Sequence, residues 1–157
     1  KTISRTMGTN YDTFKTLLTE YGGNGNVIYS LKAYENNILV RDMVPCKNSN
    51  DEIGMYDLVT NTFYDNAGTG NFIAGPEVET KKYIRFVPIK IFSRLPSDYQ
   101  EVEWIGSSGT QYINTGVTVD TSDKMNSLMI NVVFSQGSAC SANVMQLHQH
   151  EAFRRAP

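Results

Sequence analysis

The chain has 157 residues, enough for one ordinary domain or two small ones, with 40% hydrophobic and only 19% charged residues. Its net charge is −2 and its 14 Lys and Arg read as scattered, so it lacks the basic stripe a nucleic-acid binder carries. No apolar run approaches the roughly 20 residues a bilayer span needs, so neither nucleic acid nor membrane insertion is expected. The first residue is Lys1 and no signal-peptide pattern follows. The chain therefore reads as a fragment or processed product, with export left open. Cys46 and Cys140 do not make a disulfide framework. Two free, buried thiols are expected, a single bridge being the alternative.

Residues 1–26 are polar. Within 11–21, Phe14, Leu17 and Leu18 fall at helical spacing and predict a short helical turn, ended by Gly22, Gly23 and Gly25. From Val27 the period becomes two: Val27, Tyr29, Leu31 and Ala33 alternate with Ile28, Ser30, Lys32 and Tyr34. Glu35-Asn36-Asn37 supplies a turn whose Asn residues tolerate positive φ, and 38–44 forms the return strand of a hairpin. Pro45 cannot donate to a ladder, so it is expected to end that strand or lie at an edge.

After a polar loop at 47–52, a second, shorter hairpin is expected around Val59-Thr60-Asn61. Gly68-Thr69-Gly70 is a further turn, without the Lys and following helix of a phosphate loop. Residues 77–82 are charged and aperiodic, the best boundary; 83–92, interrupted by Pro88, suits an edge strand or ordered linker. Residues 100–105 read as one half-buried strand, with Val102 and Trp104 inward and Glu101 and Glu103 outward. Ser107-Ser108-Gly109-Thr110 and 120–123 are turns, and 124–134 is a long Met- and Val-rich strand. Past about Gly137 the pattern fails, and 146–157 reads as an aberrant or frayed tail. Hairpins at this spacing favour an all-β antiparallel sandwich or barrel.

Two stretches carry a resemblance. The first comprises Leu39-Val40-Arg41-Asp42-Met43-Val44-Pro45-Cys46, Ile53-Gly54-Met55-Tyr56-Asp57 and Phe63-Tyr64-Asp65-Asn66-Ala67-Gly68-Thr69-Gly70. It resembles the C-terminal part of the concanavalin A-like (laminin-G-like) lectin/glucanase modules of phage tail, prophage and gut-bacterial surface proteins. The second comprises Leu95-Pro96-Ser97-Asp98-Tyr99, Val102-Glu103-Trp104-Ile105 and Ser108-Gly109-Thr110-Gln111-Tyr112-Ile113-Asn114-Thr115-Gly116. It is similar to the opening strands of the same module. The resemblance covers roughly 27–135 and implies a two-sheet jelly roll with a binding or structural role.

The halves stand in reversed order. Residues 1–76 would be the C-terminal part of a module, 77–94 a linker or edge strand, 95–138 an N-terminal part and 139–157 the tail. A slice across tandem modules and a permuted sandwich both fit, the latter favoured for a compact form because either half alone leaves a sheet face uncovered.

Chemistry is sparse. His148 and His150 both lie in the tail, so neither a nucleophilic triad nor a metal pair is expected. Related glucanases place their carboxylates as Glu-x-Asp-x-x-Glu, which is absent, and Glu101 with Glu103 reads as a solvated face. Asp42, Asp51, Asp57 and Asp65 offer the oxygen ligands Ca²⁺ takes, but the spacing matches no EF-hand-like loop, so turn and cap duties are expected. No cofactor is expected, Ca²⁺ being the alternative.

Sugar binding uses an aromatic platform with amide or carboxylate neighbours. Tyr56, Tyr64, Asp65, Asn66, Tyr112 and Asn114 are the candidate ligand contacts, and Trp104 is expected in the core. The expectation is a non-catalytic carbohydrate- or surface-binding module on a phage tail or cell surface. Its partners would be a glycan or cell-surface polysaccharide and other tail or surface-protein modules; the alternative is a structural or assembly module.

Overall fold

The computed structural model describes residues 2–6, 12–17, 26–79, 81–84, 87–90, 94–117, 127–135 and 145–149; for 2–6, 12–17, 81–84, 87–90 and 145–149 the description is of the backbone. Among the described residues the architecture is all-β, and every strand pairing is antiparallel.

The framework is the hairpin of β3 (Asn26–Glu35) and β4 (Ile38–Asn48). Asn36 (φ 52°) and Asn37 (φ 62°) both lie in the left-handed region, as a two-residue type I′ turn demands. The expected alternation holds over Leu31 and Ala33, which are buried, but changes phase upstream. There Ile28, not Tyr29, faces the core, and Tyr29 is 38% exposed. The ladder to the neighbouring strand slips here, pairing Val133 with Ser30 and Phe134 with Ile28, so Tyr29 is the extra residue of a bulge. One inserted residue moves every side chain beyond it to the opposite face.

β4 continues past Pro45, which lies at a local edge and not at the strand's end, the second of the two places expected for it. β3 pairs β4 only from Leu31↔Met43 outward. Beyond that point the two strands fork. The freed edge of β3 takes β11 (Ile105–Ser107), and the freed edge of β4 takes β10 (Tyr99–Glu101). Pro45 sits at the fork, where its carbonyl accepts from Val102 N–H at 3.1 Å. A strand residue points N–H and C=O to the same side, so the missing donor falls where β4 is changing partners and no ladder bond is lost.

The same fork breaks the strand expected at 100–105. The chain crosses from one prong to the other, leaving Val102 1% exposed in the crotch and Glu103 exposed. Glu101, expected outward, is paired with Arg94 and has only 13% of its side chain exposed.

The remaining strands extend this frame. β5 (Ile53–Asp57) and β6 (Thr62–Tyr64) form the second expected hairpin beside β4. β13 (Leu128–Ser135) lies along the outer edge of β3 and β1 (Thr2–Thr6) beyond it, while β7 (Ile73–Ala74) flanks β11. Together these make one forked nine-stranded sheet. A three-stranded sheet holds β12 (Ile113–Asn114), β2 (Asp12–Leu17) and β14 (Met145–Gln149), and β8 (Lys81–Ile84) pairs with β9 (Val87–Lys90).

Two expectations change here. Residues 12–17 are a strand, not a helical turn, and 145–149 of the supposed tail pair with it. Cross-strand partners distant in sequence override a weak local helical spacing. The turn at 120–123 and the end of the tail, 150–157, lie outside the described residues, as do Cys140 and His150.

Each side of the sheet carries its own apolar cluster. One gathers Ile28, Leu31, Met43, Met55, Phe72, Val102, Ile105, Ile113 and the inward residues of β13. The other gathers Val44, Cys46, Tyr56 and Leu95, with Leu58, Phe63 and Tyr99 against them. Residues from 26–76 and from 95–135 interleave in both, so the two stretches complete one sheet within a single chain.

Candidate functional site

Two loops at the β5 end of the sheet enclose a cleft of about 430 Å³, lined by Asn50, Asp51, Glu52, Ile53, Asp65, Asn66, Gly68, Gly70, Asn71 and Phe72. The first wall is the loop between β4 and β5. Asn48 organises it: its side-chain oxygen accepts from Asn50 N–H (2.9 Å) and Glu52 N–H (3.0 Å), and its amide donates to the Glu52 carboxylate (2.6 Å). Asp51 takes φ 60°, a conformation Asp tolerates better than most residues.

The second wall is the segment after β6, organised by Asn66. Its oxygen accepts from Gly68 N–H (2.9 Å) and Tyr112 N–H (3.1 Å), and its amide donates to Gly70 C=O (2.7 Å). Ala67 N–H reaches Tyr112 C=O at 2.9 Å, and Thr110 Oγ1 donates to Thr69 C=O at 2.8 Å. The segments run so close that a Cβ on Gly68 would stand 2.0 Å from the Thr110 oxygen. Behind them Gln111, 3% exposed, accepts from Ser107 and Ser108, which fixes the turn that presents Thr110.

Of the six expected contacts, Asp65 and Asn66 line the cleft. Asn66 spends its side chain on the loop itself. Tyr112 stands behind the wall, half-buried, with its ring against Gly68. Tyr64 is half-buried against the first apolar cluster. Asn114 is exposed on β12, where it accepts from Gly116 N–H at 3.2 Å. Tyr56 is 5% exposed, its ring centroid 4.7 Å from that of Tyr99, so its packing sets it aside as a ligand contact. Trp104 joins neither apolar cluster; half-buried, its indole lies over Gly75, where a Cβ would come within 2.6 Å of the ring.

Sequence reading passed over Asn50 and Glu52 as polar loop and did not single out Asn71. The available signal was the density of Asn and Asp in Asn48-Ser49-Asn50-Asp51, residues that hydrogen-bond their own backbone and hold loops in shape.

Charge in this region is mostly negative. Asp51, Glu52 and Asp65 contribute carboxylates to the cleft, while Lys47, 3.9 Å from Asp51, is drawn away to Glu77 at 2.5 Å. That hydrogen bond to Glu77 raises the Lys47 pKa. No group of three or more His, Cys, Asp or Glu arranged to hold a metal occurs among the described residues.

Asp57 does the turn work expected of it. Fully buried, it accepts from Asp42 N–H (2.9 Å), Val59 N–H (3.1 Å) and Thr60 Oγ1 (2.7 Å), and faces Arg41 Nε at 3.5 Å. Arg41 also donates to the Thr115 carbonyl, tying β4 to the segment after β12.

Comparison with protein-family models, with curated proteins and with solved structures finds no match for this chain.

Proposed function

We propose that this chain is a non-catalytic carbohydrate- or surface-binding module, of the lectin-like jelly-roll kind its two sequence stretches resemble, carried on a phage tail or cell surface. The observation that supports the reading is the cleft of about 430 Å³ between the Asn48 and Asn66 loops. Its volume is in the ordinary range for small-ligand sites. Carboxylates of Asp51 and Asp65 and the amides of Asn50 and Asn71 suit the paired donor and acceptor character of sugar hydroxyls. Both loops are held by side-chain bonds before any ligand arrives, which lowers the entropy lost on binding.

A glycan array with the folded chain tests this, with titration of any hit against the Asp65→Ala and Asn71→Ala variants. Binding that falls about tenfold in Asp65→Ala, close to one charge-assisted hydrogen bond lost, and by about fivefold in Asn71→Ala, a neutral one, is the expected result. Uniform absence of glycan binding by folded protein overturns the sugar reading and leaves a structural or assembly module. Hydrolysis of a β-glucan by the purified chain would overturn the non-catalytic assignment.

A further inference from the structure

Charge in this chain is segregated, although its 14 cations look scattered when taken one at a time. Lys81, Lys82, Arg85, Lys90 and Arg94 fall within residues 80–97, a stretch with no Asp or Glu. With the chain at −2 overall, everything outside that stretch sums to −7 (−2 minus +5).

The backbone turns this stretch into a distinct element. Among the described strands, β8 and β9 pair with each other and with no other. The excursion also leaves and returns at one residue: Val78 N–H bonds the Glu101 carbonyl at 2.9 Å, and the Arg94 guanidinium pairs with the Glu101 carboxylate. The ribbon is therefore an insertion tied at its base, where the Arg94 charge is already met. Its register sets Lys81 opposite Lys90, with Lys82 next along β8 opposite Ile89. Like charges directly opposite destabilise an antiparallel pair, and a lone two-stranded ribbon is marginal in water. Nothing in the strand pairing offsets that cost.

We propose that the β8–β9 ribbon is a second binding element, for a polyanionic polysaccharide: a linear chain bearing a carboxylate or sulfate on successive sugars. Lys81 and Lys90 hold directly opposed register positions, with backbones about 5 Å apart across the ribbon, the scale on which charges repeat along such a chain. Charge complementarity favours this occupant over a neutral glycan, and the negative remainder of the chain orients it towards the ribbon. The cleft and the ribbon then address different chemistries, and neither assignment depends on the other.

The test uses the intact chain, with polygalacturonate as polyanion, neutral β-glucan as comparison, and duplex DNA and phosphatidylserine vesicles as further arms. Polygalacturonate should bind, weaken steeply with added salt, and lose about tenfold in affinity in the Lys81→Gln/Lys90→Gln double variant. Loss of neutral-glycan binding in Asp65→Ala reports on the cleft and loss of polygalacturonate binding in the double variant reports on the ribbon, so the two failures are separable. No binding by folded protein, equal binding by the double variant, or stronger binding to DNA or vesicles than to polygalacturonate would each overturn the proposal. A circular dichroism spectrum of the double variant matching the parent shows that any loss is of charge and not of fold.

Discussion

Cys46 shows how a residue's surroundings fix its chemistry. It is fully buried in the cluster with Val44, Tyr56 and Leu95. Burial pushes its thiol from the usual value of 9.0 up to about 12, a backbone hydrogen bond at Tyr56 opposing the rise and the nearby Glu101 charge adding to it. The thiolate is the reactive form, so the native thiol is inert at neutral pH. In a Cys140→Ser background, maleimide labelling of the native protein near neutral pH should be far slower than labelling in denaturant; equal rates would contradict the burial. The linkage has a definite sign. The folded state holds the proton more tightly than the unfolded chain, so this stabilisation is complete below pH 9 and is lost as pH rises towards 12. Urea titrations across that window should show falling stability in the parent and a smaller fall in Cys46→Ala.

At the scale of elements, the two hairpins were legible because their turns have a local cause. Asn36-Asn37 adopts the positive φ that a two-residue loop requires, and the second hairpin closes over Asp57, which caps its own turn. The cleft walls were not legible in that way. Asn66 was singled out as a ligand contact, yet it serves the wall, because its partner Tyr112 is 46 residues away and no local pattern announces that pairing. Gly68 likewise matters for what crosses it, not for its own φ. Gly68→Ala would force its methyl group into the Thr110 carbonyl, and relief requires the two segments to part. The variant should lose about 1–3 kcal/mol in urea denaturation, the ordinary cost of overpacking, and its affinity for any cleft ligand should fall with it. A stable variant with unchanged binding would show that the segments separate freely.

For the molecule as a whole, the question is whether 26–79 and 94–135 behave as one unit. Ile105 speaks to it directly: fully buried, it pairs with Ile28 on one edge and Ala74 on the other. Its truncation to Ala should cost about 2–5 kcal/mol, as large-to-small changes in a packed core do. The single Trp, Trp104, belongs to the second stretch but rests on Gly75 of the first, so its fluorescence reports their contact. Fluorescence and far-ultraviolet circular dichroism should trace one coincident unfolding transition, and Ile105→Ala should shift both equally. Two separated transitions would mean that the stretches fold independently.

The all-β antiparallel class, both hairpins and the inward places of Leu31, Ala33 and Val102 were already present in the residue order, because alternation and turn chemistry are local properties that one strand and its loop express alone. The phase change at Tyr29, the fork at Pro45 and the strand at 12–17 were not. Each depends on a partner strand far away in sequence: β13 sets the bulge, β10 and β11 divide the edge that β3 and β4 leave open, and β12 and β14 hold β2. The cleft has the same origin, since Asp65 and Asn71 meet Asn50 and Asp51 only after the sheet has brought their loops together. Side-chain period is a property of a segment, whereas register and enclosure are properties of pairs.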